Sequence, residues 1–336
     1  MKRDPLFTLV QSFFDEHLAK VRGASTHTIA AYRDTLKLFL QFTAQQQSVT
    51  VERLHLDQFN ATTAAAFLQH LERDRGNSVA TRNCRRIALR GFFQHALRHD
   101  PTRAAQYAQV LALPAKRGAP TVPRYLEPQQ MRLLLAQPDR RHPRGQRDYA
   151  LLLFLYNTGA RISEAVAVRR RDLQFASPPH VRLLGKGRKE RLCPLWPDTV
   201  AVLKPLLACT ADTADPTEAA FRGVHSDALT RHGATHLLAK HVASARRHDA
   251  TFPKRVSPHT LRHSCACALL QAGVDLTVIR DYLGHASIVT TSRYANANLE
   301  LKRTALTAFW EHAGLSAPKA PPWRPTKSLL TYLSSL

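Results

Sequence analysis

Apolar residues recur at helical spacing through the first third of the chain. After Thr26, which can cap a helix, Ile29, Tyr32, Leu36, Phe39 and Leu40 fall on one face at a helical period. A second helix is predicted near residues 63–73, stopped by the turn Asp74-Arg75-Gly76-Asn77. Ser78 then caps a third, whose Ile87, Phe92, Ala96 and Leu97 are predicted to face a core. Pro114, Pro120, Pro123 and Pro128 break the pattern and predict an extended linker. Its residues 114–124 would reach roughly 35 Å. Beyond it, the apolar run 149–156 predicts a buried helix, and Val181-Arg182-Leu183-Leu184 and Arg191-Leu192-Cys193-Pro194-Leu195 predict a β-hairpin with the basic tip Gly185-Lys186-Gly187-Arg188-Lys189. Residues 208–218 read as a surface loop, and helices resume near Leu229, Pro258, Leu276 and Ser287. Four prolines after Gly314 precede Leu329, Leu330, Leu333 and Leu336, a short apolar helix too small to stand alone. The predicted fold class is mainly α with a small β-sheet (α+β): a helical domain at 1–113, a linker at 114–125, a second domain at 126–312 and a tail at 313–336.

Charge changes this picture from a fold to a partner. Lys and Arg number 48 against 25 Asp and Glu, a net +23, and such self-repulsion is best relieved by a polyanion. Nucleic acid fits better than an anionic membrane, because Arg outnumbers Lys and its planar fork suits phosphate. The charge is also patterned. Arg82, Arg86 and Arg90 recur every four residues with Arg85 beside them, and no acid interrupts residues 78–99. Most helical charge runs are solvated faces; an unbalanced arginine stripe is better explained by phosphate contacts. Lys116, Arg117 and Arg188 join it as expected DNA-binding residues. The five cysteines lack the spacing of a disulfide framework or a zinc site, and Cys265 and Cys267 read as core residues of a reducing compartment. No signal peptide or membrane span is predicted, since the start Met1-Lys2-Arg3-Asp4-Pro5 is polar and the longest apolar stretch, 150–156, is far too short.

Four segments carry residues suited to phosphodiester chemistry. Thr158-Gly159-Ala160-Arg161-Ile162-Ser163-Glu164 puts an arginine at a helix start, after a glycine turn. His259-Thr260-Leu261-Arg262-His263 puts His259 and Arg262 on one helical face. Leu283-Gly284-His285 is followed nine residues later by Tyr294, and the hairpin tip offers Lys186. Singly, each is as well read as a cap or a surface residue; jointly they form a site. A phenol is a poor nucleophile at neutral pH, and attack on a phosphodiester gathers negative charge on the non-bridging oxygens. Arg161 and Arg262 supply permanent charge and N–H donors there, and His285 another donor. His259 can accept the phenolic proton, and Glu164 is placed to orient the cluster. Such a site needs no metal and no cofactor. His232 and His236 lie one helical turn apart, but with His241 they find no further ligand, and are expected to be exposed or phosphate-facing. Tyr282 is expected to pack.

The set resembles the catalytic signature of the tyrosine recombinase (phage integrase) family, in which Arg, a hairpin Lys, His-x-x-Arg, His or Trp, and Tyr follow in order. Here these are Arg161, Lys186, His259, Arg262, His285 and Tyr294. Gly185-Lys186-Gly187-Arg188-Lys189-Glu190-Arg191 and Asp281-Tyr282-Leu283-Gly284-His285 are similar to Xer-type enzymes, and the resemblance spans residues 126–294. Ala160 departs from it, standing where many relatives carry a larger apolar residue. The resemblance implies a SAM-like core-binding domain and a catalytic domain closing on DNA as a C-shaped clamp. It also implies site-specific strand exchange through a 3′-phosphotyrosyl link to Tyr294, with Lys186 as general acid. The expected partners are double-stranded DNA bearing recombination sites and further copies of the chain. These would form a homo-tetramer on paired sites, with the tail docking on a neighbour, and a monomer or weak oligomer off DNA. The expected location is the bacterial cytoplasm, at the nucleoid. A type IB topoisomerase and a non-catalytic DNA-binding regulator are the other two function classes this constellation allows.

Overall fold

The computed structural model describes residues 5–118, 123–185, 187, 189–208, 215–223 and 228–284. The chain divides into two compact units, Met1–Pro120 and Thr121–Leu336. The predicted helix at Ser287, the leucine-bearing tail, and Lys186, Arg188, His285 and Tyr294 lie outside the described residues.

The first unit is helical throughout. Helix α1 (Pro5–Ser12) runs on as π-helical turns over Phe13–Val21, followed by α2 (Thr26–Gln46), α3 (Ala61–Arg73), α4 (Val79–His99) and α5 (Ala104–Ala112). Side-chain caps set three of the starts: Ser25, Asn60 and Ser78 each accept a hydrogen bond from a backbone N–H of the first turn. The cap of α2 is therefore Ser25, one residue before the predicted Thr26, because the preceding residue has the extended backbone a cap requires. The core is aromatic. Phe39 is fully buried among Phe59, Phe67 and Phe93, with ring centroids 5.2–6.3 Å away. Leu36, Phe92 and Ala96 are buried as expected, but Ile87 is 54% exposed. On α4 it lies away from the face that carries Phe92, Phe93 and Ala96 inward.

The arginine stripe does something the sequence did not suggest. Arg90 and Arg86 donate to the carbonyls of Leu111 and Leu113, and Arg82 to that of Pro114 at 3.4 Å. These carbonyls lie at and just past the end of α5, where no further turn exists to satisfy them. Asn83 then takes both backbone groups of Lys116, donating to its oxygen at 2.8 Å and accepting from its nitrogen at 3.1 Å. The ammonium of Lys116 pairs with Glu72 at 2.6 Å. Residues 114–116, read as the start of an extended linker, are thus bound along α4.

The second unit is built on α7 (Pro143–Thr158), whose residues Ala150–Leu155 are all buried. Around it stand α6 (Pro128–Leu135), α8 (Ile162–Ala167), α9 (Pro197–Ala208), α10 (Arg231–His248), α11 (Pro258–Gln271) and α12 (Leu276–Leu283). Its antiparallel sheet runs β1 (Leu173–Gln174), β2 (His180–Leu184) and β3 (Glu190–Pro194), in that order, so a short edge strand joins the predicted hairpin. Val181 pairs with Cys193 and Leu183 with Arg191. This register turns Val181, Leu183, Cys193 and Arg191 to the inner face and leaves Leu184 and Leu192 outside. His241 is not exposed: it is buried, with Nε2 2.8 Å from Asp148, which Arg147 also holds at 2.6 Å. Together these tie α10 to α7. Among the described residues, no helix is long and apolar enough to cross a membrane, and no group of three or more His, Cys, Asp or Glu could hold a metal ion.

One buried histidine gives the first unit a measurable acid sensitivity. His95 lies 2.8 Å from the Ser12 hydroxyl and against Phe13, His17 and His99. Burial first, then the charges of His99, His17 and Arg98, push its pKa down to about 4. The unfolded chain therefore takes up this proton first. The stability His95 contributes is complete above its ordinary value of 6.5 and is lost as pH falls toward 4. Amide-exchange protection over residues 13–21, corrected for intrinsic rates, should fall through that window, and His95→Gln should flatten the fall. An unchanged pH dependence in the variant would remove His95 as its source.

Candidate active site

The site forms where α7, α8, α11, α12 and the hairpin end close together. Helix α7 stops at Gly159 in the left-handed conformation, φ +56°. The space there is occupied: a Cβ would lie 2.4 Å from Leu283 and 3.2 Å from the Cys265 sulfur. Glycine is thus required twice, for the backbone and for the approach of α12. Two residues on, Arg161 caps α8, and Glu164 reaches back from the first turn to accept from the Arg161 backbone N–H at 2.9 Å. The same carboxylate accepts from Arg161 Nη1 at 2.7 Å and from Arg191 Nη2 on β3 at 2.7 Å. The Glu164 side chain is 3% exposed. Burial would raise its pKa, but the hydrogen bond and charge of Arg191, followed by Arg161, overcome this and hold it below the usual carboxylate range.

The end of α12 is gripped by arginines from three elements. Arg191 Nε donates to the carbonyl of Tyr282 at 3.0 Å and Arg262 Nη2 to that of Leu283 at 2.6 Å. Arg161 Nη2 approaches the carbonyl of Gly284 at 3.5 Å. Arg262, itself 3% exposed, also donates from Nη1 to the carbonyl of Gly159 at 2.7 Å, joining the ends of α7 and α12. Tyr282 packs, with its hydroxyl donating to the Asn157 carbonyl at 2.5 Å. His259 stands at the surface near the start of α11. Partial burial, then the charges of Arg262 and Arg161, lower its pKa, so its ring is neutral at neutral pH. The structure therefore brings Arg161, Glu164, Arg262 and His259 into one neighbourhood and sets the residue before His285 at its edge. The expected DNA-binding residues Arg82, Arg85, Arg86, Arg90, Lys116 and Arg117 belong to the other unit. Arg191 went unnoticed in the sequence as a site residue.

Comparison with known proteins places the chain in a family. Residues 124–300 match the model of the phage integrase family, and residues 12–100 that of the phage integrase N-terminal SAM-like domain. The chain belongs to the phage integrase family, the tyrosine recombinases. It is 39% identical to the Sinorhizobium fredii integrase/recombinase y4rC, over 100% of this chain and 99% of that protein. It is 31% identical to tyrosine recombinase XerC of Pelobacter propionicus, over 88% and 93% of the two chains. Identity with tyrosine recombinase XerD of Ralstonia nicotianae is 34%, over 84% and 87%. The fold is also that of the XerH site-specific recombinase in a post-cleavage complex with difH substrate, at TM-score 0.68 and 23% identity over 89% and 84% of the chains. These relatives support the recombinase reading over the topoisomerase and regulator readings.

Gly159 offers a direct check on the site's packing. Gly159→Ala forces both a left-handed alanine and a shift of Leu283, and should destabilise the second unit by about 1–3 kcal/mol. Thermal melting followed by tryptophan fluorescence would test this, since Trp196, Trp310 and Trp323 all belong to the second unit. A melting point equal to that of the parent would mean that α12 is not held against the Gly159 turn.

Proposed function

We propose that this recombinase cuts and rejoins double-stranded DNA at specific sites by transesterification, through a 3′-phosphotyrosyl link to Tyr294. The observation that carries this reading is the pair Arg161 and Arg262, fixed about the Leu283–Gly284 turn with neutral His259 beside them. In the reaction the Tyr294 oxygen attacks phosphorus, the bond to the DNA 5′-oxygen breaks, and the charge gathered on the non-bridging oxygens falls to Arg161, Arg262 and His285. His259 accepts the phenolic proton and Lys186 returns one to the leaving 5′-oxygen. Each phosphoester is exchanged for another of similar energy, so the resealing step needs no external energy source. Positive charge tracks the DNA through Arg82, Arg85, Arg86, Arg90, Lys116, Arg117 and Arg188. Helix α10 adds to it, holding Lys240, Arg246 and Arg247 on its exposed side with no acidic residue along its length.

The division into a core-binding domain at 1–113, a catalytic domain at 126–312 and a tail at 313–336 follows the same reading. So does assembly as a tetramer on paired sites with the tail docked on a neighbour, in service of a mobile element or of chromosome or plasmid maintenance. The relatives named integrase/recombinase and tyrosine recombinase support the recombination reaction on which this reading rests.

A nicked suicide substrate carrying the cognate site should trap a covalent protein–DNA adduct on the parent chain, and Tyr294→Phe should bind that DNA and trap none. Adduct formation by the variant would displace Tyr294 as nucleophile. The pH dependence tests the base separately. Because His259 titrates below 6.5, the acid limb of single-turnover cleavage should have its midpoint below that value. In His259→Gln that limb should vanish along with most of the rate.

A further inference from the structure

Arg191 is a charged residue on the inner face of a strand, in line with Cys193 and Leu195, and its side chain is only 10% exposed. Two of its bonds run in different directions. Nη2 takes Oε2 of Glu164, and Nε takes the carbonyl of Tyr282, three residues before His285. In the sequence, Lys186 falls between the two strands β2 and β3 of this hairpin.

The division of the Glu164 carboxylate is what matters. Oε1 accepts from Arg161 Nη1, while Oε2 is already filled by Arg191 and by the Arg161 backbone N–H. A guanidinium facing a carboxylate with both oxygens open closes on it as a two-pronged fork. Here the second prong is blocked. Among the described residues, the contacts of Arg161 use one Nη1 bond to Glu164 and one long Nη2 bond to Gly284, out of five N–H groups.

We infer that Arg191 is a positioning residue for strand cleavage, keeping Arg161 from closing as a fork on Glu164 while fixing the α12 end that leads to His285. This rests on the proposed reading of Arg161 as a transition-state donor. Without Arg191, Oε2 opens, Arg161 spends a second guanidinium donor on Glu164, and the Tyr282 carbonyl loses its guanidinium. Arg191 itself touches no reacting atom.

The test uses the full chain on a suicide substrate at saturating protein. Arg191→Met should lower the single-turnover cleavage rate about 10²-fold, the scale of losing one oxyanion donor, with the DNA dissociation constant unchanged within about threefold. Arg191→Lys should recover part of the rate, since an ammonium can fill Oε2 but cannot also reach Tyr282. The double variant Arg191→Met, Glu164→Gln removes the trap together with its guard. It should cleave at least as fast as Arg191→Met alone, and measured against Glu164→Gln alone this is a non-additivity that two independent structural losses would not give. Parent-like cleavage by Arg191→Met, or additive losses in the double variant, would overturn the inference. So would loss of DNA binding and rate in parallel across all three variants. Failure of the parent chain to form any adduct would strike the proposed function instead, so the two failures are separable.

Discussion

The second unit depends on one buried carboxylate. Glu164 gathers three donors from two elements, and each of the two guanidiniums it binds also reaches toward the end of α12. A charge this deep is tolerated only when fully paired, and removing one partner of such a pair typically costs about 3–5 kcal/mol. The arrangement leaves one negative charge between two positive ones, so the cluster keeps a net positive charge. Burial, pairing and residual charge are thus a single condition. The residue types cannot change independently of one another.

The same use of arginine recurs across the molecule. Arg86 and Arg90 serve carbonyls at the end of α5, Arg262 serves those at the ends of α7 and α12, and Arg147 serves the carbonyl of Arg222. The C-terminal end of a helix presents unsatisfied oxygens and partial negative charge, and a guanidinium answers both. A chain rich in arginine can therefore close its helix ends from a distance. In α5 and α7 this replaces local side-chain caps, since neither helix has a basic residue in its last turn.

Much of this was legible from periodicity and spacing. The helices capped by Ser78 and ended by Gly159, the hairpin about Gly185–Lys189, and the buried stretch of α7 all followed from local rules, because caps, turns and apolar runs are properties of a few neighbouring residues. Arg161, Glu164, His259 and Arg262 were singled out by type and order. Ile87 and His241 were misjudged because exposure is decided by which face meets the core and by partners as distant as Asp148. The carbonyl contacts of the arginine stripe were hidden for the same reason, since those carbonyls lie more than twenty residues away along the chain. Arg191 did leave a signal. A charge in the alternation Arg191, Cys193, Leu195 must be paired or expelled, and that pattern could have marked it.

The helix-capping arginines have a kinetic consequence. Arg86 and Arg90 bond to carbonyls, which are neutral, and among the described residues Arg82 is the one α4 arginine near a carboxylate, that of Glu72 at 3.9 Å. Fixing their geometry has therefore not quenched their field. Cations such as Arg86 and Arg90, immobilised on one rigid helix by neutral partners, attract a polyanion over about a Debye length, roughly 8–10 Å at physiological ionic strength. They do so without the entropy cost of first ordering the side chains that will meet it. If these arginines meet DNA as proposed, such a surface would speed the first encounter more than it tightens the final complex, and that advantage would fade as salt rises.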